Sequence, residues 1–232
     1  MPFNKIKPFL AACGLLLITA CAENSPKVSE AKKADATEKK QVAEDKKVIL
    51  FFGNSLTAGY GVKKEESFPA LIQARIDSLN LDYKVVNAGV SGETTTTGLN
   101  RLDWVLGNYE VDIFILELGA NDGLRGLPPD QTQKNLEEII DKVRTQEAGV
   151  EIVLAGMMVP PSMGPDYSAA YNPIFPKIAR KKEVEFIPFL LEGVGGIDSL
   201  NQDDGIHPNP AGNRLVRENV WAVLGPMVKN SN

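Results

Sequence analysis

The sequence is poor in the groups that build metal sites and covalent frameworks, with two cysteines and one histidine in 232 residues. Neither a disulfide network nor a zinc cluster of the usual ligand spacing can be made from these, so no metal and no other cofactor is expected. There is no excess of positive charge either. Twenty-five Lys and Arg stand against 30 Asp and Glu, a net charge of −5, which gives a phosphate backbone nothing to bind and argues against nucleic acid as a partner. The apolar run from Phe9 to Ala20 is shorter than the ~20 residues that cross a bilayer. No period of about 20–50 residues recurs, which excludes solenoids and propellers. What is present is ordinary globular material. Hydrophobic residues at 43% and charged residues at 24% are enough for one core, and the length suits one domain with an appendage.

The appendage comes first. Lys5 and Lys7 precede the apolar run, which ends in small residues, the order of a secretory signal. Ile18-Thr19-Ala20-Cys21 resembles the lipobox of bacterial lipoproteins, whose cysteine is acylated and becomes the mature N-terminus. An earlier match, Leu10-Ala11-Ala12-Cys13, has too few apolar residues before it. Residues 1–20 are therefore expected to be a signal peptide, and the protein to be held in the bacterial cell envelope by lipidated Cys21, on the outer membrane facing the periplasm. A plain signal peptide cut near Ala22 and an uncleaved anchor are the alternatives. From Ala22 to Lys47 there is no aromatic residue, and Val28 and Val42 are the only larger apolar residues. Such a segment cannot bury enough surface to offset its ordering entropy, so residues 21–46 read as a solvated tether and 47–232 as the folded domain.

In the domain, short apolar runs alternate with helical patterns. Lys47 to Phe52 is a continuous apolar run ending at Gly53, as expected of a strand buried on both faces. Ser67 to Leu79 carries Phe68, Leu71, Ile72, Ile76 and Leu79 at helical spacing. A strand at Tyr83–Asn87, a helix at Thr95–Leu106 and the run Val111–Leu118 follow. Then come a helix at Gln131–Thr145, a strand at Glu151–Met157, a helix at Ser168–Lys181, a short strand at Val184–Ile187 and a last helix. Five strands separated by crossovers predict a three-layer α/β/α sandwich around a five-stranded parallel sheet.

Ligands of such sheets bind beyond the carboxyl ends of the strands, so the loops there carry the chemistry. Ser55 lies two residues past the first strand, and a serine hydroxyl needs a base to become a nucleophile. His207 is the one histidine. Asp204, three residues before it, is spaced to hold one imidazole nitrogen while the other faces outward, with Asp203 as competitor. Asn209-Pro210 suits a helix N-cap and first turn, which keeps His207 on a loop. An acyl-transfer site also needs oxyanion donors, and Gly89, the Asn121 amide and the Ser55 N–H are candidates.

These residues resemble a family. Gly53-Asn54-Ser55-Leu56, Gly89, Gly119-Ala120-Asn121-Asp122 and Asp204-Gly205-Ile206-His207-Pro208 match the blocks of the GDSL or SGNH hydrolases in order and spacing. Ser91-Gly92-Glu93-Thr94 and Glu117 to Gly126 add support, and the similarity is greatest to the bacterial thioesterase I, lysophospholipase and arylesterase branch. The resemblance implies a flavodoxin-like SGNH fold. It also implies a serine hydrolase of carboxylic esters or thioesters, with Ser55 as nucleophile, His207 as base, Asp204 as orienting acid, and Ser55, Gly89 and Asn121 as the oxyanion hole. Asn54 departs from the family, which usually has Asp there. The Gly-x-Ser-x-Gly elbow of the α/β-hydrolases is absent, because Thr57 takes the place of its second glycine.

The expected partner is a small ester or a lipid, lodged against Gly123, Leu124, Leu127, Met158 and Pro160, in segments that supply an apolar and adaptable wall. An O-acetylesterase acting on envelope polysaccharide is the runner-up, and a catalytically silent binding lipoprotein is the reading from another class. Oligomeric state is open.

Overall fold

The computed structural model describes residues 46–230; Cys21, the signal and the tether up to residue 45 lie outside the described residues. The domain is built on a sheet of five parallel strands in the order β2-β1-β3-β4-β5. The strands are β1 (Lys47–Gly53), β2 (Tyr83–Gly89), β3 (Ile113–Glu117), β4 (Glu151–Ala155) and β5 (Glu185–Ile187). The central strands read as unbroken apolar runs because both faces are covered: every residue of β3 is buried, and β1 is buried from Val48 onward. Helices α2 (Phe68–Ser78) and α8 (Pro210–Asn230) pack together on one side, and α3 (Thr95–Leu106), α5 (Pro129–Gln146) and α7 (Ile174–Lys182) pack in sequence on the other. Phe51, Phe52, Phe68, Phe114 and Phe175 are among the large side chains closed off between the layers. Burying each is worth roughly 1.5–3 kcal/mol relative to leaving it in water.

The helix ends follow local chemistry. Thr94 caps α3 by accepting from the Thr97 N–H, and the Thr97 hydroxyl answers the Thr94 N–H, so orphan amides at that end are satisfied reciprocally. Asn209 Oδ1 accepts the N–H of Ala211 and of Gly212, and Pro210 opens α8, as expected. Two expectations are corrected. The helix expected at Ser168–Lys181 is two helices, α6 (Pro165–Tyr171) and α7, because Pro173 has no N–H to continue the ladder. The loops after β1 and β3 are themselves short helices, α1 (Ser55–Ala58) and α4 (Ala120–Leu124), too brief to leave a periodic signal.

Strand order decides where a site can form. β1 connects to β2 on one flank and the chain then crosses to β3 on the other, so the carboxyl end of β1 opens at the point where the winding reverses.

Candidate active site

At that point the chain passes from strand to helix through Asn54. Its Oδ1 accepts the Leu56 N–H at 2.9 Å, which caps α1 and sets Ser55 as the first helical residue. Ser55 is nearly buried, and its Oγ stands 2.9 Å from Nε2 of His207, 152 positions later in the chain. His207 sits on the loop before α8. Asp204 folds that loop by accepting the N–H of Ile206 and of His207, each at 3.0 Å, through Oδ1, while its Oδ2 lies 2.6 Å from His207 Nδ1. Because Nδ1 faces a carboxylate, the ring proton belongs there, and Nε2 is left to accept the serine proton. Burial pushes the Asp204 carboxyl up, but the bonds from the His207 ring and from the two amides outweigh it and hold the group below the usual carboxylate range. Asp204, not its neighbour Asp203, meets the histidine.

Three residues that the sequence did not single out hold this arrangement. The Tyr60 ring lies on the His207 ring with centroids 4.7 Å apart. Gln202 donates from Nε2 to the carbonyls of Tyr60 and Pro208, tying the loop after α1 to the histidine loop. Under the nucleophile, Glu117 at the end of β3 is in register with Gly53 and accepts only from the turn at 54–57. Its carboxyl is fully buried, and desolvation pushes it up to about 7 in spite of hydrogen bonds from Thr57 and Asn54. An acidic residue ending an otherwise apolar strand was the signal that could have found it.

The oxyanion donors come out differently from expectation. Asn121 lies in the first turn of α4, and one hydrogen of its amide goes to the Glu93 carbonyl at 2.9 Å, leaving the other available. Gly89 is a correction. Its N–H is taken by Asn87 Oδ1 at 3.0 Å, so no free donor remains there. A glycine is needed at that position for another reason, since a Cβ would fall 2.3 Å from the Ala58 N. Gly92, three residues on, has φ of +80°, and its N–H has no partner among the described residues. It precedes the Glu93 whose carbonyl holds Asn121. The Glu93 carboxylate pairs with Arg101, which also reaches the carbonyl of Ala88 and stacks on Phe52. The loop that carries Gly92 is thereby fixed to the ends of β1 and β2.

A cleft of about 480 Å³ opens beside Ser55 and His207. Leu124, Met158 and Pro160 line it, together with Ile206 beside the histidine and with Phe189 and Leu191 from a segment that the sequence did not mark. Gly123 and Leu127 are not on its wall. Gly123 is packed behind it, where a Cβ would lie 2.5 Å from Val159, and the Leu127 carbonyl accepts the Tyr167 hydroxyl at 2.7 Å. The geometry supplies a serine with a base at hydrogen-bond distance and a mostly apolar cleft at one side. That combination suits attack on an acyl carbon.

Comparison with known proteins agrees. Residues 51–215 match the GDSL-like lipase/acylhydrolase family, and the chain belongs to that family. It is a carboxylic ester hydrolase of the SGNH class. Esterase TesA of Pseudomonas aeruginosa is 39% identical over 180 residues, covering 78% of this chain and 89% of that protein. Thioesterase 1/protease 1/lysophospholipase L1 of Escherichia coli K12 is 35% identical over 184 residues, covering 79% and 86%. The psychrotrophic esterase EstA from Pseudoalteromonas, solved inhibited by monoethylphosphonate, superimposes with a TM-score of 0.74 at 33% identity, covering 78% of this chain and 98% of that one.

Proposed function

We propose that Ser55, His207 and Asp204 carry the hydrolysis, acting on carboxylic esters with an apolar acyl or aryl group, with thioesters as a second leaving-group class. The observation that carries this reading is the 2.9 Å approach of His207 Nε2 to Ser55 Oγ at the mouth of an apolar cleft. Ser55 Oγ attacks the acyl carbon as its proton passes to Nε2, and Asp204 stabilises the imidazolium through Nδ1. The imidazolium then protonates the departing alcohol or thiol, and water, deprotonated by the same nitrogen, releases the acid from the acyl-serine. The negative oxygen formed in each half is met by the Ser55 N–H, the free amide hydrogen of Asn121 and the N–H of Gly92, which takes the role expected of Gly89.

With p-nitrophenyl esters of increasing acyl length, Ser55→Ala and His207→Ala should each remove nearly all turnover, and Asp204→Asn somewhat less. Wild-type rates in Ser55→Ala would defeat the mechanism. We also propose that the mature protein starts at a lipidated Cys21 and works in the cell envelope, a reading supported by the lipobox-like Ile18–Cys21 and the apolar-poor segment after it. Among the described residues no helix is long and apolar enough to cross a membrane.

A further inference from the structure

Glu117 takes no part in the proton transfer assigned to Ser55, His207 and Asp204, yet its carboxyl is the most heavily committed group beneath them. It is fully buried, and each hydrogen bond it accepts comes from the nucleophile turn. Oε1 accepts from Asn54 Nδ2 at 2.8 Å. Oε2 accepts the N–H of Asn54 at 3.2 Å, the N–H of Thr57 at 3.3 Å and the Thr57 hydroxyl at 2.7 Å. No cation is among these partners. The Asn54 amide is committed at both ends, since its Oδ1 caps α1 through the Leu56 N–H and lies 3.4 Å from Ser55 Oγ. Only one orientation of that amide satisfies both neighbours. Turned over, it would set its oxygen against the carboxylate and its NH2 against the Leu56 N–H.

We propose that Glu117 is a positioning residue of this hydrolase, acting through Asn54: the carboxylate fixes the polarity of the Asn54 amide, and the amide oxygen, by accepting the Leu56 N–H, caps α1 and so seats Ser55 before His207. The proposal rests on Ser55 being the nucleophile. An Asp at 54 would face Glu117 as a second buried carboxylate, and one of the two would then have to hold a proton.

The polarity of the pair can be reversed, and this separates positioning from mere structural support. In Glu117→Gln the amide oxygen must take the Oε2 place, where three donors converge. The new NH2 then meets the NH2 of Asn54, and Asn54 must turn over and abandon its cap or leave donor against donor. With Asp at 54, the glutamine amide introduced at position 117 donates to a carboxylate oxygen, the other oxygen stays on the Leu56 N–H, and the net charge of the pair matches that of Asn54 with ionised Glu117. The effect of Glu117→Gln must therefore depend on residue 54.

The test compares full-length wild type, E117Q, N54D and N54D/E117Q, with kcat and KM for a p-nitrophenyl ester at about pH 8, above the value of about 7 to which burial raises the Glu117 carboxyl beside Asn54, and thermal unfolding for each. E117Q should lower kcat about tenfold or more when residue 54 is Asn and less than about threefold when it is Asp, with KM within about twofold throughout. An equal factor in the two settings, including no effect in either, overturns the proposal, as does a loss of kcat that follows the unfolding temperature alone. Should E117Q fail to fold, N54D/E117Q against N54D still decides: a loss of about tenfold or more in that pair overturns it. Hydrolysis that survives Ser55→Ala would instead defeat the nucleophile assignment, and that is read with residues 54 and 117 untouched.

Discussion

Ser55 acquires its chemistry from neighbours that differ in how they were reached. Asp204 and His207 are three apart, and the turn that joins them is closed by the Asp204 carboxylate on two backbone amides, so that half of the site is local. Ser55 joins it across the fold, and the oxyanion donors we propose come from its own backbone, from the loop at Gly92 and from α4. This division makes residue-scale predictions specific. Asn121→Ala should lower kcat by about 100–1,000-fold with little change in KM, because its free hydrogen meets charge that exists only in the transition state; a rise in KM alone would make it a substrate-binding residue. Gly89→Ala, in contrast, should appear first as lost stability in a urea melt, since its Cβ has no room against Ala58. Glu117 supplies a pH signature. Its carboxyl is raised from the ordinary glutamate value of 4.5 to about 7 by burial, so the folded state holds its proton more tightly than the unfolded chain does. The stability this contributes is complete below about 4.5 and is lost as the pH rises through about 7. Urea midpoints of wild type relative to Glu117→Gln should therefore decline across that window and level off above it; a difference that is flat with pH would show that Glu117 does not titrate there.

At the scale of elements, the walls of the site are held by contacts between segments that are too short to stand alone. The four-residue α1 and five-residue α4 cannot persist by themselves in water. α1 is held through its cap and Glu117. α4 is held from behind, where the buried Tyr171 of α6 donates its hydroxyl to the Gly119 carbonyl at 2.5 Å. Asp122, next to Asn121, accepts the N–H and hydroxyl of Thr95 at the start of α3. Tyr171→Phe removes one of the two donors to the Gly119 carbonyl, which keeps the Gly123 N–H at 2.9 Å, and should cost about 0.5–1.5 kcal/mol in chemical denaturation. Because α4 carries Asn121, kcat should fall with it; a variant as stable and as active as wild type would remove α6 from the support of the site.

For the molecule as a whole, the sheet order places the end of β1 between β2 and β3, and this is what gathers loops from residues near 55, 92, 121 and 207 around one opening. The proposed anchor lies outside this machinery. Cys21→Ala should move the protein from the membrane to the soluble fraction while leaving kcat on a small soluble ester unchanged. A variant that stays with the membrane would refute lipid attachment at that cysteine.

The amino-acid sequence by itself determined the layer architecture, because buried parallel strands must be apolar throughout and their crossover helices amphipathic, and both patterns can be read residue by residue. It also determined Ser55, Asp204, His207 and Asn121 as candidates, since each sits in a short block beside a strand end or a helix start. The tertiary structure decided what depends on approach between distant segments. It chose Asp204 over Asp203, gave the Gly89 amide to Asn87 and left that of Gly92 free, moved Gly123 and Leu127 off the cleft wall, and set Glu117 beneath Asn54. The direction of an N–H and the burial of a carboxyl follow from packing across the sheet, and no local pattern encodes them.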